Sequence, residues 1–202
     1  MNDKPKMMII EDHPVMRNGL AGYFTQTGRW YVLGSASCLN EAKKILIEND
    51  ADVLVLDILL DDGWGIDIVP WLKQEKNGTN LPVMAVYSAF DDYTYVSAAL
   101  NSGVNVYVCK RQNEQELENA LVKAINGETY IDSSAKLRLQ KIENLCTLLT
   151  KREAEILTMV KNGLSNYEIA GKIGISNRTV ENILCCVYDK TGIKSRMELL
   201  KL

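Results

Sequence analysis

Glu11-Asp12, Asp57, Ser88 and Lys110 each close a short apolar run. The runs are Met7-Met8-Ile9-Ile10, Val53-Leu54-Val55-Leu56, Pro82-Val83-Met84-Ala85-Val86-Tyr87 and the stretch from Val104 to Val108. Brought together, three carboxylates repel one another unless a cation joins them. Oxygen ligands of this kind suit Mg²⁺, which takes one or two carboxylates, keeps water and leaves room for a phosphate. An ammonium from Lys110 and a hydroxyl from Ser88 would complete an anion-binding pocket around a phosphoryl group carried on Asp57. Taken singly, each residue has a plainer reading, and an Asp at a strand end commonly opens a turn. The chemistry exists only if the fold brings the four ends to one place.

The elements that would do so follow from the pattern. A short continuous apolar run bounded by turn signals reads as a strand buried on both faces of a parallel sheet. A helix opens at Pro14 and runs to about Gln26, and Tyr31-Val32-Leu33 is a second strand. Helices follow from about Asn40 to Glu48, from Gly65 to Lys76 with Asn77-Gly78 as its stop, and from Asp92 to Asn101 with a stop at Gly103. Asn113 and Glu116 begin a fifth helix that Gly127 ends. Strands alternating with helices predict an α/β doubly wound, five-stranded parallel sheet, whose ligand chemistry gathers at the carboxyl ends of its strands.

The chain has 202 residues, enough for two domains. An apolar fraction of 47% and a charged fraction of 24% are those of an ordinary globular protein. No apolar run approaches the roughly 20 residues that span a bilayer. Met1-Asn2-Asp3-Lys4-Pro5-Lys6 lacks the apolar core of a signal peptide, so the expected location is cytoplasmic, away from membranes. Cys38, Cys109, Cys146, Cys185 and Cys186 form no CxxC pair, and His13 is the one histidine. The cysteines therefore read as reduced packing residues rather than zinc ligands. Residues 141–202 hold ten Lys/Arg and seven Asp/Glu, a net of +3, against −6 for the remainder. An acidic first part with a mildly basic tail suits a regulatory domain joined to an anion-binding one.

That tail reads as four short helices. Thr150-Lys151-Arg152-Glu153, Ser165-Asn166-Tyr167-Glu168 and Ser195-Arg196-Met197-Glu198 are Ser/Thr-x-x-Glu capping boxes, and Ser176 is an N-cap for a helix from Asn177 to about Lys190. Gly163, Gly174 and Gly192 mark helix ends. Val180, Ile183, Leu184 and Val187 recur at i, i+3, i+4 and i+7, so one face of the last-named helix is core. Two helices joined by Gly174-Ile175-Ser176 make a helix-turn-helix pattern.

The order of acidic pair, Asp, Ser and Lys at successive strand ends resembles the receiver domain of a bacterial two-component response regulator. The tail is similar to the LuxR/NarL-type helix-turn-helix output domain. It carries that likeness in Leu149-Thr150-Lys151-Arg152-Glu153, in Gly163–Ala170, in Ile175-Ser176 with Thr179-Val180, and in Lys190–Arg196. The resemblance implies a flavodoxin-like receiver of strand order 2-1-3-4-5 over residues 1–127, a partly helical linker over 128–147, and a DNA-binding domain over 148–202. It implies that a sensor histidine kinase passes a phosphoryl group to Asp57. Asp12, Asp57 and the backbone carbonyl of Leu59 would hold Mg²⁺ directly, and Glu11 through water. Lys110 would pair with the phosphoryl oxygens, while Ser88 and Tyr107 would turn inward as switch residues. The phosphorylated chain would dimerise and bind double-stranded DNA to control transcription. It would lose its phosphoryl group slowly, without acting as a turnover enzyme. Packing alone makes Tyr107 a half-buried strand aromatic.

Two departures from the family pattern stand out. Receivers of this type commonly carry Met-Pro or Leu-Pro three and four residues after the acceptor, where this chain has Leu60 and Asp61, followed by Asp62. The extra acids would either weaken anion entry or strengthen cation binding. In the recognition helix, Glu181 and Ile183 replace a Lys and a His. The resulting candidate DNA contacts are Arg178, Thr179, Glu181, Asn182, Cys185, Lys190, Lys194 and Arg196, with Lys172 alongside. An acid facing DNA subtracts from phosphate affinity, although Glu can accept from a cytosine amine and Asn can bridge adenine. The alternative is a receiver whose helix-turn-helix binds a protein partner. A small-phosphate-ester hydrolase using Asp57 is a third reading, opposed by the lack of a second acid placed for leaving-group protonation.

Overall fold

The computed structural model describes residues 4–192 and 195–197, and of residues 141–146 the backbone alone. It divides into two compact units, Met1–Lys136 and Leu137–Leu202.

In the first unit, β1 (Lys6–Ile10), α1 (Pro14–Thr27), β2 (Tyr31–Ala36), α2 (Leu39–Glu48) and β3 (Val53–Leu56) are followed by two two-residue strands, β4 (Leu59–Leu60) and β5 (Gly63–Trp64). A 3₁₀ turn at Gly65–Asp67 leads into α3 (Ile68–Glu75), then β6 (Val83–Ser88), α4 (Tyr93–Ser102), β7 (Val106–Cys109), α5 (Glu114–Ile125) and β8 (Tyr130–Ile131). The main sheet has the order β2-β1-β3-β6-β7-β8, and every pairing in it is parallel. The expected five-stranded order 2-1-3-4-5 is therefore present, with β8 added at the edge beyond β7. Met7–Ile10, all of β3 and all of β7 are buried, as strands covered on both faces must be.

Side chains alternate between the faces. Met7, Ile9, Val53, Val55, Ala85, Tyr87, Val106 and Val108 share one face with Leu20 and Phe24 of α1 and with Leu117, Ala120 and Leu121 of α5. Fully burying a side chain of this size contributes roughly 1.5–3 kcal/mol, so this layer supplies much of the unit's stability. Glu118 of α5 is buried, but its carboxylate accepts from Trp30 Nε1 at 3.0 Å and Tyr23 Oη at 3.3 Å, which ties α5 to the first helical layer.

Because α1 and α5 lie on one face while their chains step along the sheet in opposite directions, the β1–α1–β2 and β7–α5–β8 crossovers have opposite hands. Such connections are right-handed in about 98% of cases, so the short edge strand β8 is reached against the usual rule.

The helices begin close to where the sequence places them, with one shift. The third was expected from Gly65 and starts at Ile68, because Gly65–Asp67 first forms the tighter turn. Asn113 caps α5 by accepting from Glu116 N–H at 2.9 Å. Glu116 itself does not close a capping box, since its carboxylate takes the Tyr130 hydroxyl.

Helix α6 (Ser133–Leu148) follows β8. The second unit then contains α7 (Lys151–Lys161), α8 (Asn166–Ile173) and α9 (Asn177–Thr191) around Ile156, Val160, Ile169, Val180, Leu184 and Val187. Both capping boxes, Thr150 with Glu153 and Ser165 with Glu168, are complete, and Ser176 Oγ accepts from Thr179 N–H at 3.1 Å. Gly174 ends α8 at φ 70°, in the left-handed region that favours glycine. Glu198, which completes the third expected box, lies outside the described residues.

Candidate functional site

The parallel sheet delivers β1, β3, β6 and β7 to one rim. Glu11 and Asp12 follow β1, Asp57 follows β3, Ser88 ends β6 and Lys110 follows β7. Asp57 Oδ1 accepts from Ser88 Oγ at 2.7 Å and from Ile58 N–H at 2.6 Å. Lys110 Nζ reaches Asp57 Oδ2 at 2.5 Å and Glu11 Oε2 at 2.7 Å. Carboxylate oxygens of Glu11, Asp12 and Asp57 lie within 4.8 Å of one another. All four strand ends thus meet.

The electrostatics follow from burial. Burial pushes the Glu11 carboxyl above its ordinary range, the hydrogen bond and charge of Lys110 pull it back, and the neighbouring Asp57 adds to the rise. Burial works to lower the Lys110 ammonium, but its bonds to Asp57 and Glu11 outweigh that and hold it above its ordinary value. Lys110 therefore stays charged, and its one ammonium pairs with two acids of a three-acid cluster. A further cation at the Glu11–Asp12–Asp57 cluster would relieve that excess. The donors are all oxygen, which fits a hard divalent ion.

Tyr107 is fully buried rather than half-buried, and its hydroxyl donates to the Phe90 carbonyl at 2.7 Å. Burial drives its phenol far above the ordinary value. Leu59 sits in β4, opposite Trp64 of β5.

Several supporting residues escape a reading of the sequence. Arg17 Nη1 donates to the carbonyls of Glu11 at 2.7 Å and Asp12 at 3.0 Å, fixing the acidic turn. His13 is no ligand; its Nδ1 accepts from Met16 N–H at 3.4 Å as the cap of α1. A Cβ at Gly65 would fall 1.9 Å from the Asp57 carbonyl oxygen, so no side chain fits there. Nothing in a one-dimensional pattern announces that approach. One of the two extra acids has a plain structural role. Asp62 accepts from Leu39 N–H at 3.1 Å and Asn40 N–H at 3.4 Å, capping α2, while Asp61 is exposed. Among the described residues neither joins the metal-competent cluster.

On α9, Arg178, Thr179, Glu181, Asn182, Cys185 and Lys190 are exposed, while Ile183 packs against the core. Two of the expected cations are engaged within the domain. Lys190 Nζ lies 2.8 Å from both carboxylate oxygens of Glu153. Arg196 donates to Asn166 Oδ1 at 2.9 Å and to the Leu164 carbonyl. Glu181 accepts from Asn177 Nδ2 at 3.0 Å, and the hydroxyls of Thr179 and Ser176 are 2.7 Å apart. Lys194 lies outside the described residues. Cys109 is a buried packing residue and Cys38 is half-buried; Cys185 is exposed, as its place on the outer face of the helix requires, and Cys186 is exposed too, contrary to its reading as a packing residue, because both fall off the Val180–Leu184–Val187 stripe. The Cys146 side chain lies outside the described residues.

An acidic trio that includes a strand-end aspartate, with a lysine beside it on a doubly wound sheet, followed by a helix-turn-helix, is the arrangement of a response regulator. The chain belongs to that family: the response regulator receiver domain matches residues 7–122, and the luxR family of bacterial regulatory proteins matches residues 147–202. It is 27% identical over 197 residues to the response regulator protein VraR of Staphylococcus saprophyticus, covering 96% of this chain and 93% of that one. It is 26% identical over 200 residues to the transcriptional regulatory protein YdfI of Bacillus subtilis, covering 96% and 92%. Among solved structures it is similar to the RcsB–DNA complex, with a TM-score of 0.74, 23% identity, and 98% and 96% of the two chains covered. A structure of Salmonella enterica serovar Typhimurium RcsB on a promoter with phosphomimetic BeF3⁻ gives a TM-score of 0.73 at 23% identity, covering 98% and 97%.

Proposed function

We propose that Asp57 accepts a phosphoryl group from the phosphohistidine of a sensor kinase in the cytoplasm, and that this controls dimerisation and sequence-specific DNA binding by the second unit. The observation that carries the reading is the meeting of Ser88, Lys110 and the Glu11–Asp12 pair on one carboxylate. An Asp57 oxygen attacks phosphorus, the P–N bond breaks, and its electron pair returns to the imidazole. Lys110 is placed to hold the phosphoryl oxygens, and Ser88 Oγ to donate to the group that now occupies its Asp57 contact. Glu11, Asp12 and Asp57, with the Leu59 carbonyl, are the residues that would hold Mg²⁺. Bound there, the ion neutralises charge on the phosphoryl oxygens. Slow hydrolysis of the acyl phosphate resets the chain, which does not turn over a substrate as an enzyme does.

RcsB has been solved on DNA, at a level of identity that speaks for fold. The same placement of the second helix of the motif would put Arg178, Thr179, Glu181, Asn182 and Cys185 toward the major groove. The engagement of Lys190 and Arg196 inside the domain favours a second reading, in which this face meets a protein. The wild-type chain is expected to take up one phosphoryl equivalent from acetyl phosphate with Mg²⁺, and Asp57→Asn none. Uptake by the variant would sink the assignment. Selection of bound fragments from sheared genomic DNA, with and without the donor, separates the two output readings. Enrichment of one site family only with donor supports the switch, and no enrichment in either case favours the protein partner.

A further inference from the structure

β8 has two residues, and so short an edge strand is weakly held by its own ladder. The residue after it is fastened far better. Asp132 is buried, a placement that is costly for a carboxylate unless each oxygen is hydrogen-bonded. Its backbone N–H donates to the Tyr107 carbonyl at 2.9 Å, extending the ladder one step. Its carboxylate then divides. Oδ2 accepts from the Cys109 N–H at 2.5 Å. Oδ1 accepts from the Ser134 N–H at 2.8 Å, the Ser134 hydroxyl at 2.6 Å and the Ala135 N–H at 3.0 Å. One oxygen therefore grips β7 between Tyr107 and Lys110, and the other caps the first turn of α6. Tyr130 adds a hydroxyl bond to Glu116 and lies beneath the Lys123 ammonium, 5.0 Å from its ring centre. A strand reached by a crossover of unusual hand is thus held by side chains as well as by its short ladder, and the side chain at its end bridges the pocket strand and the linker helix.

We propose that Asp132 is a positioning residue that couples β7 to α6, so that the phosphorylation state of Asp57 is read at the first turn of the helix leading toward the output domain. The inference rests on the phosphoacceptor reading of Asp57. Lys110 holds Asp57 directly, and Cys109 precedes it in the chain. A shift of Lys110 toward a phosphoryl group therefore moves the very N–H that Asp132 grips. A carboxylate is planar and rigid, so the Oδ1 end follows the Oδ2 end, and α6 either moves with β7 or loses its cap.

The test is amide hydrogen exchange at residues 133–136 in the full chain, with and without acetyl phosphate and Mg²⁺. Wild-type exchange there is expected to change about tenfold on phosphorylation, an ordinary size for a coupling between sites. Asp132→Asn keeps an oxygen able to cap α6 but offers the Cys109 N–H an amide nitrogen instead of an acceptor. It should take up phosphate at a rate within about twofold of wild type, while its α6 exchange no longer responds to phosphate. Ser134→Ala removes a cap donor, leaves the grip on Cys109 intact and should keep the response. A preserved response in Asp132→Asn overturns the inference, as does loss of phosphate uptake by that variant, which would make Asp132 a support of the pocket alone. Uptake by the wild type with no change at α6 overturns the inference but leaves Asp57 as acceptor. No uptake by the wild type overturns both.

Discussion

The rim of the parallel sheet and the second unit both carry cationic side chains that the proposed function would turn toward an anion, yet they use them differently. At the rim, Lys110 bonds Asp57 and Glu11, and those contacts are the site itself: the groups that hold one another are the groups that would receive a phosphoryl group. On the output domain, Lys190 and Arg196 also make good bonds, but to Glu153, Asn166 and the Leu164 carbonyl, partners that hold the domain together. A cation can be structural and functional at once where its partner is the reactive group. Where the partner is a helix cap, the two uses compete.

The largest effect that would break this comparison is at Lys110. Lys110→Ala removes the one ammonium between two buried acids and should slow phosphoryl uptake from acetyl phosphate about 100-fold, the usual size for losing one donor to a developing charge. A rate within about threefold of wild type would show that Lys110 only balances charge. Next comes Gly65→Ala. The new Cβ has no room beside the Asp57 carbonyl, so the turn that follows β3 must shift, at a cost of about 3 kcal/mol. Urea unfolding followed by tryptophan fluorescence reads the first unit selectively, because Trp30, Trp64 and Trp71 all lie in it. Unchanged stability would mean that the turn is looser than it stands.

Much of this is legible in the order of residues alone. The strand-end residues can be read because a parallel sheet has one carboxyl rim, so naming the strands names the site. The capping boxes at Thr150 and Ser165 can be read because capping is local in sequence. What the chain does not announce are contacts across sequence distance. Asp62 caps α2 from 23 residues away, and Asp132 grips Cys109 from the same separation. Gly65 is required by a neighbouring backbone rather than by its own φ. Lys190 looks free in sequence because a capping box already accounts for the charge of Glu153, yet one carboxylate serves both.

On the output side the sharper probe is Glu181→Lys. Glu181 is exposed on α9, and its one described bond is to Asn177, one turn away. Exchanging the acid for a base adds about one phosphate contact if this face lies on DNA. Affinity for the selected site should rise about tenfold, and the salt slope should steepen by about one. An unchanged slope would mean that the face does not meet DNA, and that the protein-partner reading is the better one.

The smallest effect, and the one that isolates the structural use of a cation, is at Glu153. The hydrogen bond from Lys190, with those from the Thr150 backbone and hydroxyl, holds the Glu153 carboxyl below its ordinary value of 4.5 against the opposing effect of burial. A carboxylate depressed on folding stabilises the fold at pH values above its unfolded pKa, and that contribution is lost as pH falls through the depressed value. Wild type should therefore lose protection of α7 and α9 amides as pH falls below about 4.5, with the loss complete only once the lowered value is passed. Glu153→Gln keeps an acceptor for the Thr150 N–H but has no charge to lose. It should be less protected than wild type at neutral pH, and the two should converge at low pH. The released Lys190 then offers the internal control: if its ammonium is more useful to DNA than to Glu153, the variant binds the selected fragment more tightly at neutral pH even as its domain loosens. Weaker binding together with looser amides would instead show that the Glu153–Lys190 pair holds α9 in the position from which it reads its target.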